Sequence, residues 1–411
     1  MLERKRKLDC ANGREKADLV LKNGNVLNVF TEEVLKADVA ICGDTIVGVG
    51  EYEGKEEIDC TGKYLVPGFI DAHMHIESCM AAPGELAKVL AKAGTTTIIA
   101  DPHEIVNVSG TKGMDYFLKC AAKLLVNVFF MVPSAVPATD VETNGCGEFL
   151  ASDMMKYVDN ARVLGLGETM RFMECCEGEK RMADKLELFA KKHIDGHAPG
   201  IRGKEVQAYR LAGVENDHEC STAEEVLDKL RAGLHIYVRE GSGAKNLETL
   251  IKTMLDAGVC LDRCAFCTDD KHVEEIRKEG HISTCIRKAI ALGVPVAKAY
   301  KMGSYQAAEF YGLKNYGAIG AGYRADIVFL DDLEQVRPLD VMKDGRILTE
   351  EDYAKDYSVP VPDELLHTVH VGEVTKEKIR LSCDGKTDVI QMNPHQIVTT
   401  HLVEEVPTDN G

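Results

Sequence analysis

Two histidines separated by one residue, His73 and His75, lie in the stretch PGFIDAHMHIES at residues 67–78. Side chains at positions i and i+2 of a strand point the same way, so both imidazoles would face one metal ion if this stretch is a strand. Glu77 extends the same spacing by one further step. Taken alone, the spacing fits an ordinary strand with polar residues equally well.

Imidazole and carboxylate groups recur at four later points, each at the end of a short apolar run. A single buried histidine is more often a core residue than a ligand. A whole set of unpaired polar groups at one site would, however, cost several kcal/mol per charged group unless a metal ion binds them. The four residues are Glu168 in GLGE, His197 in DGHAPG, His218 in NDHEC and Asp269 in CTDD.

The chemistry of this set predicts a catalytic metal centre. Histidine and carboxylate ligands without a thiolate suit Zn(II), Mn(II) or Fe(II). Six ligands, counted with His73 and His75, exceed the three that a single open catalytic ion usually takes. Two ions are therefore predicted, and Glu168 is the candidate bridge because it lies between the two pairs of histidines along the chain.

The elements that must position these residues alternate between β-branched runs and helical patterns from Val66 to Leu313. Eight such repeats over roughly 250 residues match the usual size of a (β/α)8 TIM-like barrel, whose catalytic residues lie at the C-terminal ends of the strands. All six candidate ligands fall at these ends. The strand candidates are 65–75, 95–103, 126–135, 162–168, 193–199, 213–219, 234–240 and 264–270.

An open, doubly wound parallel sheet is the alternative α/β fold. Such a sheet would be expected to carry a glycine-rich phosphate loop after its first strand, and the sequence has none there. Among the intervening helices, the one in STAEEVLDKLRAG is expected to begin with a capping box formed by Ser221 and Glu224. The barrel is the favoured fold.

The segments that flank the barrel have a different pattern. Residues 18–64 read as short strands separated by Asn-Gly and Gly-Asp turns, and a similar pattern returns after Gly317. Two such segments can meet in one small β-sandwich built from both ends of the chain. The predicted division is 1–64 for the N-terminal part of this β-sandwich, 65–313 for the catalytic barrel, 314–364 for the C-terminal part of the sandwich and 365–411 for a β-strand tail.

Composition argues against several classes of partner. The net charge of −18 at pH 7, from 49 basic and 67 acidic residues, repels nucleic-acid polymers and anionic membranes. No apolar stretch approaches the ~18 residues of a membrane span, and the first residues lack a signal-peptide pattern. The protein is expected to be cytoplasmic. Its 14 cysteines, including the Cys264-x-x-Cys267 spacing, are expected to be reduced and mostly in the core.

Longer motifs carry a resemblance to a known family. PGFIDAHMHIES, GTTTIIADPHEI, GLGE, DGHAPG, DHECSTAEE, REGS, FCTDDKH and AIGAGYRADIVFLDD follow in this order. Together they resemble the amidohydrolase superfamily, and ADPHEIVN, GLGE and VREGS resemble its adenine deaminases in particular. Adenine deaminases of this type usually continue into a further C-terminal domain, which this chain is expected to lack.

The resemblance implies a reaction and a role for each residue. A hydroxide held between two ions, Mn(II) or Fe(II) in preference to Zn(II), would attack C6 of adenine. Asp269 would carry the proton to the departing amine, which leaves hypoxanthine and ammonia. Glu240, after the seventh strand, is the candidate for protonating or holding the purine ring, and a salt bridge with Arg239 or another basic residue is its alternative role. The implied ligands are His73, His75 and Asp269 for the first ion, His197 and His218 for the second, and Glu168 as the bridge.

Several further acidic and histidine residues are expected close to the site. Asp101, His103 and Glu104 follow the second strand in ADPHE, and Glu77 follows the first pair of histidines. They are candidates for orienting metal ligands from behind. Loop capping is the alternative role for Asp101, and solvent exposure or helix capping is the alternative for Glu77.

Two other functions stay open at this point. The first is another amidohydrolase, either a deaminase of a related purine or pyrimidine or a cyclic-amide hydrolase. Enzymes of the latter kind commonly use a carboxylated lysine as bridge, so Glu168 argues against it. The second is a purine-binding homologue without turnover, which would not require metal. Apolar surface exposed by a missing domain would favour a homodimer.

Overall fold

The computed structural model describes residues 2–383 and 385–407. Met1, Asp384 and residues 408–411, which belong to the predicted N-terminal and tail segments, lie outside the described residues. Strands are numbered along the described chain. They are β1 Ala17–Asn28, β2 Glu33–Cys42, β3 Thr45–Gly50, β4 Gly54–Asp59, β5 Tyr64–Pro67, β6 Phe69–Met74, β7 Thr95–Ala100, β8 Asn127–Val132, β9 Val163–Thr169, β10 His193–Gly196, β11 Asn216–Asp217, β12 His235–Arg239, β13 Cys264–Cys267, β14 Ile327–Leu330, β15 Asp340–Lys343, β16 Arg346–Ile347, β17 Lys386–Gln391 and β18 Thr400–Glu405.

Helices separate most of the central strands. Short 3₁₀ turns lie at Glu77–Cys79, Met155–Tyr157, Leu261–Arg263 and Asp363–Leu365. The α-helices of the described chain are α1 Leu2–Ala11, α2 Pro83–Lys92, α3 His103–Ser109, α4 Thr111–Ala121, α5 Ala151–Met154, α6 Phe172–Glu177, α7 Lys180–Leu188, α8 Lys204–Leu211, α9 Ala223–Arg231, α10 Leu247–Asp256, α11 Val273–Glu279, α12 Ile282–Ala291, α13 Val296–Met302, α14 Tyr305–Phe310, α15 Glu350–Ala354 and α16 Lys376–Ile379.

The eight central strands, β6 to β13, occupy the positions of the eight strands predicted from sequence. Within the described residues they form two parallel sheets, one in the order β10-β9-β8-β7-β6 and one in the order β11-β12-β13. Backbone hydrogen bonds connect the edges of these sheets. Glu215 donates to the carbonyl of Ile194 at 3.0 Å, and Asp269 donates to the carbonyl of His73 at 3.0 Å. The parallel sheet is therefore curled, and its strands end on one side.

Burial explains why these segments form strands and helices. Every residue of β6 and β7 is buried, as expected for parallel strands that are covered on both faces. Helix α10 buries Leu247, Leu250, Ile251 and Met254, a spacing of three and four residues that places them on one face. This face packs against the outside of the strands. The result is the predicted α/β architecture.

Helix α9 begins one residue later than the sequence pattern indicates. Its capping box is formed by Thr222 and Glu225, whose side chains each bond the other's backbone amide. The prediction of Ser221 and Glu224 was therefore wrong by one position. Ser221 instead donates its hydroxyl to the same Glu225 carboxylate at 3.0 Å.

The segments before and after the central region share one mixed sheet. Its order is β16-β15-β14-β5-β1-β2-β3, and β4 also pairs with β1. Strand β5, which leads into the central region, pairs antiparallel with β14, which follows it, with Leu65 opposite Phe329. Both ends of the chain thus join in one β unit. Its division into the two facing layers of a sandwich stays a prediction.

The last segment contains fewer strands than the sequence pattern indicates. Strands β17 and β18 form an antiparallel hairpin. Residues 367–374 have no regular structure, and Lys376–Ile379 is a short helix. The alternating apolar residues of 367–374 have no strand beside them to pair with among the described residues. Across that same described part of the chain, no helix combines the length and apolar character needed to cross a bilayer.

Candidate active site

The six predicted ligands converge at the C-terminal ends of the central strands. Each one is carried by a strand end or by the first residues after it, because that is where the buried strand leaves the sheet. All six lie within the described residues and are largely shielded from solvent. They are His73 in β6, His75 just after β6, Glu168 in β9, His197 after β10, His218 after β11 and Asp269 after β13.

The first group consists of His73, His75 and Asp269. Nε2 of His75 lies 3.2 Å from Oδ1 of Asp269, and Nε2 of His73 lies 3.6 Å from the same oxygen. One potential ligand atom from each residue falls within 4.8 Å of the others. Asp269 holds this position with a φ of 56°, a left-handed backbone conformation that is uncommon for a residue with a side chain.

Glu168 lies between this group and the remaining histidines. Its Oε1 is 3.5 Å from Nε2 of His75. Its Oε2 is 2.7 Å from Nδ1 of His197 and 3.4 Å from Nε2 of His218. The same Oε2 lies 4.0 Å from Nε2 of His73, so the carboxylate lies among imidazoles of both predicted groups.

Two functional candidates were missed by sequence reasoning, Glu219 and Arg239. Oε1 of Glu219 lies 3.4 Å from Nε2 of His218 and 3.7 Å from Nδ1 of His197. Arg239 is wholly buried at the end of β12 and donates from Nη1 to Glu219 and, at 3.0 Å, to Oδ2 of Asp269. The sequence marks Arg239 only as a charged residue that ends the apolar run HIYVR, and it gives no sign that Arg239 contacts Glu219, which lies 20 positions earlier.

Asp101 supports the site from behind. Its Oδ2 accepts a hydrogen bond from the backbone amide of Glu168 at 2.9 Å, and its backbone carbonyl lies 2.9 Å from Nδ1 of His75. The second contact directs the other nitrogen of that ring into the site. Burial, together with the nearby Glu168, raises the pKa of Asp101 to about 8.

The other residues expected near the site occupy different positions around it. Nδ1 of His103 lies 3.9 Å from Oε1 of Glu168. Oε2 of Glu104 lies 3.4 Å from Nδ1 of His75. The Glu77 carboxylate accepts the amide of Ile105 at 3.0 Å, so it contacts the first turn of α3.

Glu240 is buried at the end of β12 and carries an ion pair. Its Oε1 accepts a hydrogen bond from Nζ of Lys288 at 2.6 Å. The alternative role, a salt bridge with Arg239 or another basic residue, therefore matches this contact through Lys288 and not through Arg239, whose guanidinium bonds Glu219 and Asp269 instead.

The electrostatics of the cluster suit a cation. Burial opposes ionisation, yet the surrounding histidines hold the pKa of Glu168 well below its ordinary value. Burial also opposes ionisation of Asp269, but the neighbouring imidazoles of His73 and His75 lower the pKa of its carboxyl in the same way. Two ionised carboxylates thus lie among imidazoles in a buried site.

Two buried imidazole nitrogens indicate whether metal ions fit this set of histidines and carboxylates. Nε2 of His73 and Nε2 of His218 are buried and have no hydrogen-bond partner among the described residues. Buried polar atoms without a partner are rare in proteins and are usually satisfied by a bound water or ion. Imidazole nitrogens and carboxylate oxygens are the ligands of Zn(II), Mn(II) and Fe(II), so the donor set fits.

Comparison with known proteins identifies the family. The sequence model of the amidohydrolase family matches residues 64–348. The chain belongs to the amidohydrolase family. The match begins at β5 and ends just beyond β16, so it includes every residue of the histidine and carboxylate cluster.

Relatives within this amidohydrolase family share much of the sequence. An adenine deaminase of Desulfitobacterium hafniense is 46% identical over 400 residues, which cover 97% of this chain and 70% of that protein. An adenine deaminase of Clostridium acetobutylicum is 43% identical over 410 residues, which cover 98% of this chain and 71% of that protein. This amidohydrolase chain is thus similar to adenine deaminases over nearly its whole length.

Solved structures show the same fold at much lower identity. Atrazine chlorohydrolase of Arthrobacter aurescens, complexed with zinc, has a TM-score of 0.60 and 16% identity, with 81% of this chain and 96% of that chain covered. A beta-aspartyl dipeptidase of Fervidobacterium islandicum has a TM-score of 0.60 and 18% identity, with 82% and 98% covered. These neighbours share the amidohydrolase fold with this chain.

Proposed function

We propose that this amidohydrolase is a metal-dependent adenine deaminase that converts adenine and water to hypoxanthine and ammonia. The observation that carries the proposal is the convergence of five imidazole and carboxylate side chains around Glu168 at the strand ends. The similarity to adenine deaminases at 46% and 43% identity supports the choice of substrate. The proposed partner is therefore a small neutral base.

Two divalent cations are the proposed cofactors, Mn(II) or Fe(II) in preference to Zn(II). When bound, such ions supply Lewis acidity and lower the pKa of water towards neutrality. The contacts of Glu168 with imidazoles of both predicted groups support its role as the bridge. His73, His75 and Asp269 would hold one ion. His197 and His218 would hold the other.

Asp269 is the proposed proton carrier. Its Oδ2 accepts a hydrogen bond from Arg239 at 3.0 Å, and this fixes the carboxylate at the mouth of the strands. The carboxylate would accept a proton as water adds to C6 and deliver that proton to the exocyclic amine as ammonia departs.

Glu240 is the proposed contact to the purine ring. The side chain is 4 % exposed at the end of β12, and Lys288 pairs with one of its oxygens. It would hold or protonate a ring nitrogen so that the ring accepts electron density. Asp101 and His103 would orient metal ligands, and Glu77 would do so through the first turn of α3.

The finer architecture belongs to the same proposal. The two parallel sheets would close into one (β/α)8 barrel, because hydrogen bonds connect both pairs of sheet edges. The shared mixed sheet would form the small β-sandwich. The proposed domain boundaries lie after residues 64, 313 and 364. The proposed assembly is a homodimer.

A substrate panel on metal-loaded protein tests the proposal. Protein loaded with Mn(II) is incubated separately with adenine, guanine, cytosine and dihydroorotate, and products are separated by liquid chromatography. We expect hypoxanthine and ammonia in equal amounts from adenine. Turnover of another base or of the cyclic amide, with adenine untouched, would contradict the assignment of substrate.

A further inference from the structure

The loop between β17 and β18, residues 392–399, lies over the mouth of the site. The backbone amide of Lys245, in the segment between β12 and α10, donates to the carbonyl of His395 at 3.1 Å. Residues 392–397 and Thr399 line a cavity of about 500 Å³ whose opposite wall includes Arg239 and Asp269. This volume falls in the range of about 300–1,000 Å³ that is usual for small-molecule sites.

A second contact connects this loop to the centre of the site. Nδ2 of Asn246 donates to Oε1 of Gln396 at 3.1 Å. Asn246 is completely buried, and its Oδ1 accepts from Nε and Nη2 of Arg239 at 3.2 and 3.0 Å. The same guanidinium donates to Asp269. A continuous series of hydrogen bonds therefore joins the loop to the proposed proton carrier.

The donor and acceptor roles in these hydrogen bonds follow from the chemistry of Arg239. A guanidinium has donors and no acceptor, so the amide of Asn246 must turn its oxygen towards Arg239. Its buried NH₂ group then needs an acceptor on the other side. Gln396 supplies that acceptor.

The loop also has internal bonds that hold its shape. Nδ2 of Asn393 donates to the carbonyl of Val398 at 2.8 Å and to the hydroxyl of Thr400 at 3.1 Å. These bonds close the turn between the two strands of the hairpin. The position of Gln396 is thus set by the loop and by Asn246 together.

We propose that the loop 392–399 forms one wall of the substrate pocket and that Gln396 is a positioning residue that acts through Asn246 and Arg239 on Asp269. The cavity wall combines apolar side chains of the loop with the backbone of Gly241 and Gly243, which suits a flat, uncharged base. This inference rests on the proposed deamination of adenine.

Substitution of Gln396 tests the positioning role. Gln396→Met keeps the length of the side chain but removes the acceptor, whereas Gln396→Glu keeps an acceptor. This substitution leaves the buried NH₂ group of Asn246 without its acceptor and loosens the hold of Arg239 on Asp269, so we expect kcat of Gln396→Met to fall about tenfold while metal content stays unchanged. Gln396→Glu should stay within about twofold of the wild type. The matched control is Gln391→Met, an exposed position on β17 outside the cavity.

The outcomes of this experiment are distinct from those for the proposed function. A wild-type protein that does not turn over adenine contradicts the proposed function. A wild-type protein that turns over adenine, with Gln396→Met indistinguishable from it, contradicts the inference alone. Loss of activity in Gln396→Glu equal to that in Gln396→Met also overturns it, because the acceptor then has no role.

A fluorescence experiment tests the pocket wall independently of turnover. The chain contains no tryptophan, so Met392→Trp introduces a single reporter at the cavity. Bases stack on indole rings, so we expect hypoxanthine to quench this reporter saturably in metal-replete protein. Ile390→Trp, at a position 74% exposed on the same hairpin, is the control and should not respond. No quenching at position 392, or equal quenching at both positions, would overturn the assignment of the wall.

Discussion

At the scale of single residues, the site depends on carboxylates held among imidazoles. Glu168 has ring nitrogens of His73, His75 and His197 within 4.0 Å. Asp269 is the only one of the six proposed ligands to which we also assign proton transfer. Its role in binding metal and its role in turnover can therefore be separated by a substitution that keeps one oxygen.

Asp269→Asn should retain most of its metal and lose most of its turnover. The amide oxygen still faces His75, but the side chain no longer accepts a proton, so we expect kcat to fall by about 10²–10⁴-fold. Metal analysis and a steady-state assay on the same sample measure both effects. Asp331→Asn, at an exposed position, is the control. Activity of the wild-type level in Asp269→Asn would remove this residue from the mechanism.

A buried ion pair below the site should control stability. Nζ of Lys229 lies 3.0 Å from Oδ1 of Asp217, and both side chains are completely buried. Lys229→Met leaves a buried carboxylate unpaired, so we expect the free energy of unfolding to fall by about 3–5 kcal/mol. Denaturant unfolding measures this free energy, and Lys191→Met, at an exposed position, is the control. Equal stability of both variants would show that the pair contributes nothing.

The histidines and carboxylates of the site could be predicted because they end apolar runs in a repeating pattern. Glu219 and Arg239 could not, because their importance depends on contacts between strands that are distant in sequence. A residue beside a histidine in a strand usually points to the other face, so Glu219 gave no signal of its own. Sequence reasoning also could not show that Lys288 is the partner of Glu240.

At the scale of elements, the spacing of apolar residues and the runs of β-branched residues identified the central strands and the helices between them. All eight predicted strands are present. The tail was less predictable, since only the segments that became β17 and β18 found a pairing partner. A segment with alternating apolar residues forms a strand only when another strand lies beside it to pair with.

The capping box of α9 gives a prediction at this scale. The amide of Glu225 donates to the hydroxyl of Thr222 at 3.3 Å, and its carboxylate accepts the amide of Thr222 at 2.9 Å. Thr222→Ala should lower the free energy of unfolding by about 1 kcal/mol. Ser221→Ala should cost less, because Glu225 keeps the bond from the Thr222 amide. The reverse order in denaturant unfolding would favour the position indicated by sequence alone.

At the scale of the whole molecule, two parallel sheets joined by backbone hydrogen bonds carry the site, and one mixed sheet joins the segments before and after them. The pairing of β5 with β14 fixes both ends of the central region to each other. The C-terminal hairpin then places its loop across the strand ends. Proposed ligands separated by nearly 200 positions in the chain, such as His73 and Asp269, therefore lie close together.

Titration of metal-free protein with Mn(II) is the most direct test of the central claim. Protein stripped of metal by a chelator is mixed with adenine, and hypoxanthine formation is followed as the ratio of Mn(II) to chain increases. We expect no turnover without metal and a plateau at about two ions per chain, as for a bridged pair. Full turnover of adenine by metal-free protein, or none at any Mn(II) ratio in folded protein, would contradict it.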